Sequence, residues 1–253
     1  MSSLAISSLA FVCVFCGALL GMYLRETLPD HHLSADSKEA LKLATGLIAT
    51  ISALVLSLLI SSAKASFDRV NNELVENAAR VVSLDRVLAD FGPDAQALRD
   101  SIKRTYSESI KLLTSGDPSA IAKLDNPEET RKIAALIAGL QQLAPKTDAQ
   151  RALKSRAIQI AGDVTSTRTL VLLHKDGSIP RALLIVLVTW LVVIFTAFGL
   201  FAPRNHTAIA GLFLGALSAA GAILLILEMD RPFSGLISIN SAPLLDAAAR
   251  LGQ

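Results

Sequence analysis

The chain has 253 residues, 52% hydrophobic and only 18% charged, with 24 basic side chains against 22 acidic ones. That near balance, with bases and acids interleaved, excludes a nucleic-acid binder, which needs a basic stripe and aromatic platforms. An ordinary soluble domain is excluded too, because the charge is expelled from four stretches and concentrated between residues 64 and 181.

The uncharged stretches run from about Leu4 to Leu24, Leu43 to Ala63, Ala182 to Ala202 and Thr207 to Leu227. A helix of about 21 residues spans roughly 31 Å, the thickness of a bilayer's hydrocarbon core. The spacing predicts an all-α protein: four transmembrane helices in a 2+2 arrangement, with a helical cytoplasmic bundle inserted between spans 2 and 3. The expected regions are spans 1 and 2 with a short outer loop (1–63), the cytoplasmic helical domain (64–180), spans 3 and 4 (181–228) and a cytoplasmic tail (229–253).

The first span lacks a basic leader and a small-residue cleavage site, so it is expected to be retained rather than removed as a signal peptide. Its Cys13 and Cys16 read as small apolar side chains, because a thiolate in hydrocarbon is costly. In the outer loop, Asp30, His31, His32 and Asp36 lack the count and geometry of a metal site. No metal and no cofactor is expected.

The second span carries a stripe. Gly46, Thr50, Ala53, Ser57, Ser61 and Lys64 fall at steps of four, three, four, four and three, on one helical face. Ile48, Leu54, Val55, Leu58 and Leu59 are expected on the opposite side. Small and hydroxyl residues either let helices approach closely or line a narrow water path.

Residues 64–90 continue this span as helix without a breaker. Phe67, Leu74, Val81 and Leu88, with Val70, Asn77, Leu84 and Phe91, form a heptad-like seam. Such a seam serves either a bundle within one subunit or contact between subunits. Asn77, its polar member, is a candidate for fixing register or subunit number.

Gly92-Pro93 ends the helix. A second cytoplasmic helix is expected from Asp94 to Leu113, and Ser115-Gly116-Asp117-Pro118 reads as a turn. Asp125 or Asn126 caps a third helix with Pro127 and Glu128 in its first turn. Thr147 opens a fourth, which Asp176-Gly177-Ser178 stops. His174 reads as interfacial. No catalytic grouping is present, so no enzyme is expected.

The third span is bulky, with Trp190 and Phe195. Asn205-His206-Thr207 forms a glycosylation sequon in form only, set in a tight turn. In the fourth span Gly211, Gly215 and Ala219 form a small-residue ridge suited to oligomer or helix packing. Basic residues orient the whole: only Arg25, Lys38, Lys42 and Arg204 of the 24 fall on the other side from the insert. The positive-inside rule then places the insert and both termini in the cytoplasm. No acidic or basic residue lies within a span, which disfavours proton-coupled carriers and pumps.

The run Glu228-Met-Asp230-Arg231-Pro232-Phe233-Ser234-Gly235, directly after the fourth span, resembles the hallmark of the bestrophin-like family of bacterial membrane proteins. The span order matches too. The resemblance implies a homo-oligomer in the bacterial inner membrane, surrounded by lipid, and a passive ion channel, with monovalent ions as cargo and the second span lining the pore. Pore-lining candidates are then Gly46, Thr50, Ala53, Ser57, Ser61 and Lys64. Glu228, Asp230, Arg231, Pro232, Phe233 and Gly235 form a cytoplasmic-mouth motif. The aromatic neck of bestrophins has no counterpart in this span before Phe67. The competing expectation is a non-conducting scaffold or sensor whose cytoplasmic domain binds a partner.

Overall fold

A computed structural model describes every residue except 1, 28, 30–33, 116–125, 174–178, 231, 232, 234–236 and 238. Asp30, His31, His32, His174, Arg231, Pro232, Gly235 and most of the turns expected at 115–118 and 176–178 lie outside the described residues. Among those described there are eight α-helices and no strand. They are α1 (Ser3–Thr27), α2 (Ala35–Phe91), α3 (Gln96–Thr114), α4 (Pro127–Gln142), α5 (Asp148–Leu173), α6 (Arg181–Phe201), α7 (His206–Met229) and α8 (Ala242–Arg250). Four of them, α1, α2, α6 and α7, are long and apolar enough to cross a membrane.

The chain divides into two compact units. The first comprises residues 1–66 and 178–230, the second residues 67–177 and 231–253. Helix α2, 57 residues long, contributes to both. It begins at Ala35, within the stretch expected as outer loop. Ser34 Oγ accepts from the Ser37 amide at 3.3 Å, and Asp36 sits in the first turn, where a negative charge complements the helix dipole.

In the first unit α1 packs against α6 and α7. Glycines set the distance. A Cβ placed on Gly21 would overlap the Thr196 carbonyl, and one on Gly199 would overlap the Ala18 carbonyl. A Cβ on Gly17 would press on Val192 and Thr196 at 3.1 Å. Backbones can approach this closely only where side chains are absent. The contact continues through Val14, Ala18, Ile194, Phe195 and Ala216, all buried. Phe11, Phe15 and Phe213 add an aromatic cluster with centroids 5.3–5.8 Å apart, Phe213 edge-on to the other two. At the end carrying the short turn between α6 and α7, Arg25 donates to the Ala202 carbonyl and Arg204 pairs with Glu26. Asn205 caps α7, its Oδ1 accepting from the Ala208 amide at 2.7 Å. The sequon asparagine is thus occupied as a helix cap.

In the second unit the later half of α2 packs with α3, α4, α5 and α8. Val81, Leu84, Leu88 and Phe91 share a core with Ile102, Leu140, Ala157 and Leu251. Val70, Leu74 and Ala78 share another with Ile110, Val171, Leu244 and Ala247. From Val70 to Phe91 the seam expected from the heptad spacing is therefore covered by this chain's own helices. Gly92 stops α2 with φ of 109°, a conformation that glycine adopts without a Cβ clash. Pro93–Ala95 then form one 3₁₀ turn, so α3 starts at Gln96 rather than Asp94. Asn126 caps α4, accepting from the Glu128 amide at 3.4 Å. Thr147 Oγ1 accepts from the Gln150 amide at 3.1 Å at the start of α5. Helix α8 was not anticipated in the tail. Pro243 lies in its first turn, and Leu244 and Ala247 form its buried stripe.

Candidate functional site

The six stripe residues of α2, Gly46, Thr50, Ala53, Ser57, Ser61 and Lys64, are all exposed. Nothing lies within 4 Å of a Cβ built on Gly46. The face that α2 turns to its own unit is different. It holds Thr45, Ser52, Leu59 and Ala63, all buried, with Ile48 and Val55 packed beside them. Ser52 Oγ is buried without a hydrogen-bond partner. Leu54 and Leu58, expected opposite the stripe, are 67% and 69% exposed, with Leu47 at 64%. Stripe and leucines lie roughly a quarter-turn apart at about 100° per residue, and both point away from the unit.

The second span is also the least covered of the four. In its most apolar window 17% of residues are buried, against 33%, 33% and 22% for α1, α6 and α7. The stripe is chemically neutral until its end. Thr50 Oγ1 donates back to the Gly46 carbonyl at 2.9 Å, which turns lone pairs outward. Lys64 supplies the one positive charge and has an interaction of its own.

The motif after the last span is described in part. Glu228 and Asp230 are buried, and neither is without a partner. Phe233 packs against the core formed by Val70, Leu74 and Ile110. In the fourth span, a Cβ built on Gly215 would lie 3.2 Å from the Phe195 ring, and Ala219 is half-buried. Nothing lies within 4 Å of a Cβ on Gly211. The tight backbone contacts are at Gly17, Gly21 and Gly199. Gly17-Ala-Leu-Leu-Gly21 is itself a glycine pair spaced by four, a signal available in the sequence. Asn77 lies inside the second unit, half-buried, with Oδ1 fully enclosed.

A buried charge cluster was also missed. Arg99 donates from Nε and Nη2 to the two oxygens of Asp85, each at 2.9 Å. The Gly252 amide donates to the same carboxylate at 2.9 Å, and Arg99 Nη2 reaches the Gln253 carbonyl at 3.3 Å. Burial pushes the Asp85 carboxyl up. The Arg99 and Gly252 hydrogen bonds, with the charges of Arg99 and Lys103, outweigh it and hold the group below its ordinary value. The cluster fastens the chain's last residues to α2 and α3. Local spacing carries no trace of it, because its members are 14 and 167 residues apart.

Among the described residues no three His, Cys, Asp or Glu side chains converge as metal ligands. Cys13 and Cys16 are free and exposed on α1.

Four membrane-length helices and a separate helical unit define the class: an all-α protein built to sit in a bilayer. The sequence matches the Bestrophin-like domain over residues 12–244, and the chain belongs to that family. No curated protein matches it. Several crystal structures share its fold. A variant of a bacterial bestrophin homologue from Klebsiella pneumoniae superposes with a TM-score of 0.69 at 14% identity, covering 99% of this chain and 97% of that one. The Klebsiella homologue phased with zinc gives 0.64 at 14% identity, over 95% and 96% of the two chains. A variant described only as a membrane protein gives 0.65 at 15% identity, over 97% and 100%.

Proposed function

We propose that the protein is an oligomeric passive ion channel of the bestrophin-like type, seated in the bacterial inner membrane and lined by α2. The observation that carries this reading is the bare outer face of α2. A stripe of small and hydroxyl residues turned away from its own subunit is what a helix bordering a shared axis requires. Family membership agrees with it. Membership also fits a non-enzymatic role, and the absence of acidic and basic groups from the four uncharged stretches fits passive rather than driven transport. Lys64 at the end of the stripe favours anions there by simple attraction. On this reading both termini and the second unit lie in the cytoplasm.

The test is flux from purified protein in liposomes. The unaltered protein carries ions. Ser57→Leu, which places a bulky apolar side chain on the stripe, abolishes flux while leaving the protein folded. Absence of flux from the unaltered protein under every salt and pH removes the reading.

The exposed leucines support a second reading. If Leu47, Leu54 and Leu58 face the axis, apolar side chains seal it and the protein is a scaffold or sensor. Cysteines placed at Ser57 and at Leu58, with Cys13 and Cys16 replaced, separate the two. A channel reacts with water-soluble thiol reagents at position 57. A sealed scaffold reacts at neither.

A further inference from the structure

The second unit holds a half-open cavity of about 160 Å³ among α2, α3, α4 and α5, with Phe233 and Leu244 on its wall. Most of the wall is aliphatic, from residues such as Leu74, Val81, Ile102 and Leu136. Thr105, Ser109, Thr165 and Arg168 also line it, and two further polar atoms stand apart from these. Asn77 Oδ1 and the Tyr106 hydroxyl belong to lining residues, are fully enclosed, and have no hydrogen-bond partner. Nearly all buried polar groups in folded proteins are paired, so two orphans on one cavity wall need an account.

We propose that this cavity is a binding site for a small uncharged organic molecule, one ring or a short chain in size, that carries a hydroxyl or N–H group. Volume sets the size. An engineered apolar cavity of about 150 Å³ in another protein takes benzene. The polar pair sets the chemistry. Asn77 Oδ1 can only accept, so the ligand must donate to it, whereas the Tyr106 hydroxyl can donate in return. Burial pushes the Tyr106 phenol up, which keeps its proton available. Among the described lining residues none is acidic, and the sole charged one, Arg168, already has an interaction of its own. A cationic ligand therefore has no counter-charge. Phe233 belongs to the motif after the last span, so an occupant of this cavity touches a residue singled out by the sequence.

The site is tested on the full chain in detergent. Tyr106 is the only tyrosine once Tyr23 is replaced by Phe, so 3-fluorotyrosine gives one ¹⁹F resonance from the cavity wall. Phenol and benzene are the probes. Phenol is expected to move that resonance saturably, with affinity about tenfold above benzene, the margin of one good hydrogen bond. Asn77→Leu is expected to erase the difference while benzene still binds. Ala161→Phe, which fills the cavity, is expected to abolish both responses, and Ser109→Phe at the half-buried side serves if that variant does not fold. The proposal is overturned if neither probe gives a saturable shift, which would leave water as the occupant. It is overturned too if the filled variants respond like the unaltered protein, which would mark partition into detergent. Equal affinities for phenol and benzene would overturn it as well.

Discussion

The two halves of α2 are one continuous helix with opposite fates. Beyond Phe67 the apolar side chains are sealed: Val70, Leu74, Val81, Leu84, Leu88 and Phe91 are all buried under the chain's own α3, α5 and α8. Before it, Leu43, Leu47, Leu54 and Leu58 stand exposed. The difference reflects the solvent for which each half is built. In water an apolar stripe must be covered to gain its burial free energy, about 25 cal/mol per Å². In a bilayer the tails are as apolar as leucine, and covering is optional. A bare face there is free for lipid, for another subunit or for a pore.

The sharpest way to break this comparison is at the charge cluster that closes the covered half. Arg99→Ala leaves the buried Asp85 carboxylate with only the Gly252 amide and the charge of Lys103, which is expected to destabilise the second unit by about 3–5 kcal/mol in denaturant unfolding. The same pair predicts a pH effect. Because Asp85 titrates below its ordinary value when folded, its contribution is complete above the unfolded carboxylate value of about 3.9 and is lost as pH falls below that, through the folded value. Unfolding of the intact protein is therefore expected to become easier below about pH 4, and this dependence to shrink in Asp85→Asn.

A matched pair of truncations sharpens the contrast itself. Leu88→Ala, at a side chain 1% exposed, is expected to cost about 2–5 kcal/mol. Leu58→Ala, at one 69% exposed, is expected to stay within about 0.5 kcal/mol for the isolated subunit. A large loss at Leu58, or a change in particle size by light scattering, would mark that leucine as covered by a second copy. The smallest effect lies in the first unit: Asn205→Ala removes the α7 cap and is expected to cost about 1 kcal/mol.

Much of the fold was readable from short-range pattern. Helices that end at Gly92-Pro93 or start at Asn126 announce themselves because breaker and cap chemistry acts over three or four residues. The stripe of α2 was readable for the same reason, since helical spacing places Ser57 and Ser61 on one side regardless of surroundings. Which side packs inward was not readable. Leu54 and Leu58 resemble core residues in composition, yet Ser52 and Thr45 take the buried face. Helix α8 escaped notice because nine residues show only two turns of periodicity.

By itself the sequence determined where most of the helices run, which of them suit hydrocarbon, and which family the chain belongs to. All three follow from local periodicity, charge exclusion and a short motif. Only the tertiary structure decided that the seam from Val70 to Phe91 closes within the subunit, that Gly21 and Gly199 carry the close approach, and that Asp85, Arg99 and Gly252 meet. Those depend on contacts between residues far apart in the chain, where free energy is set by what each surface finds to cover it.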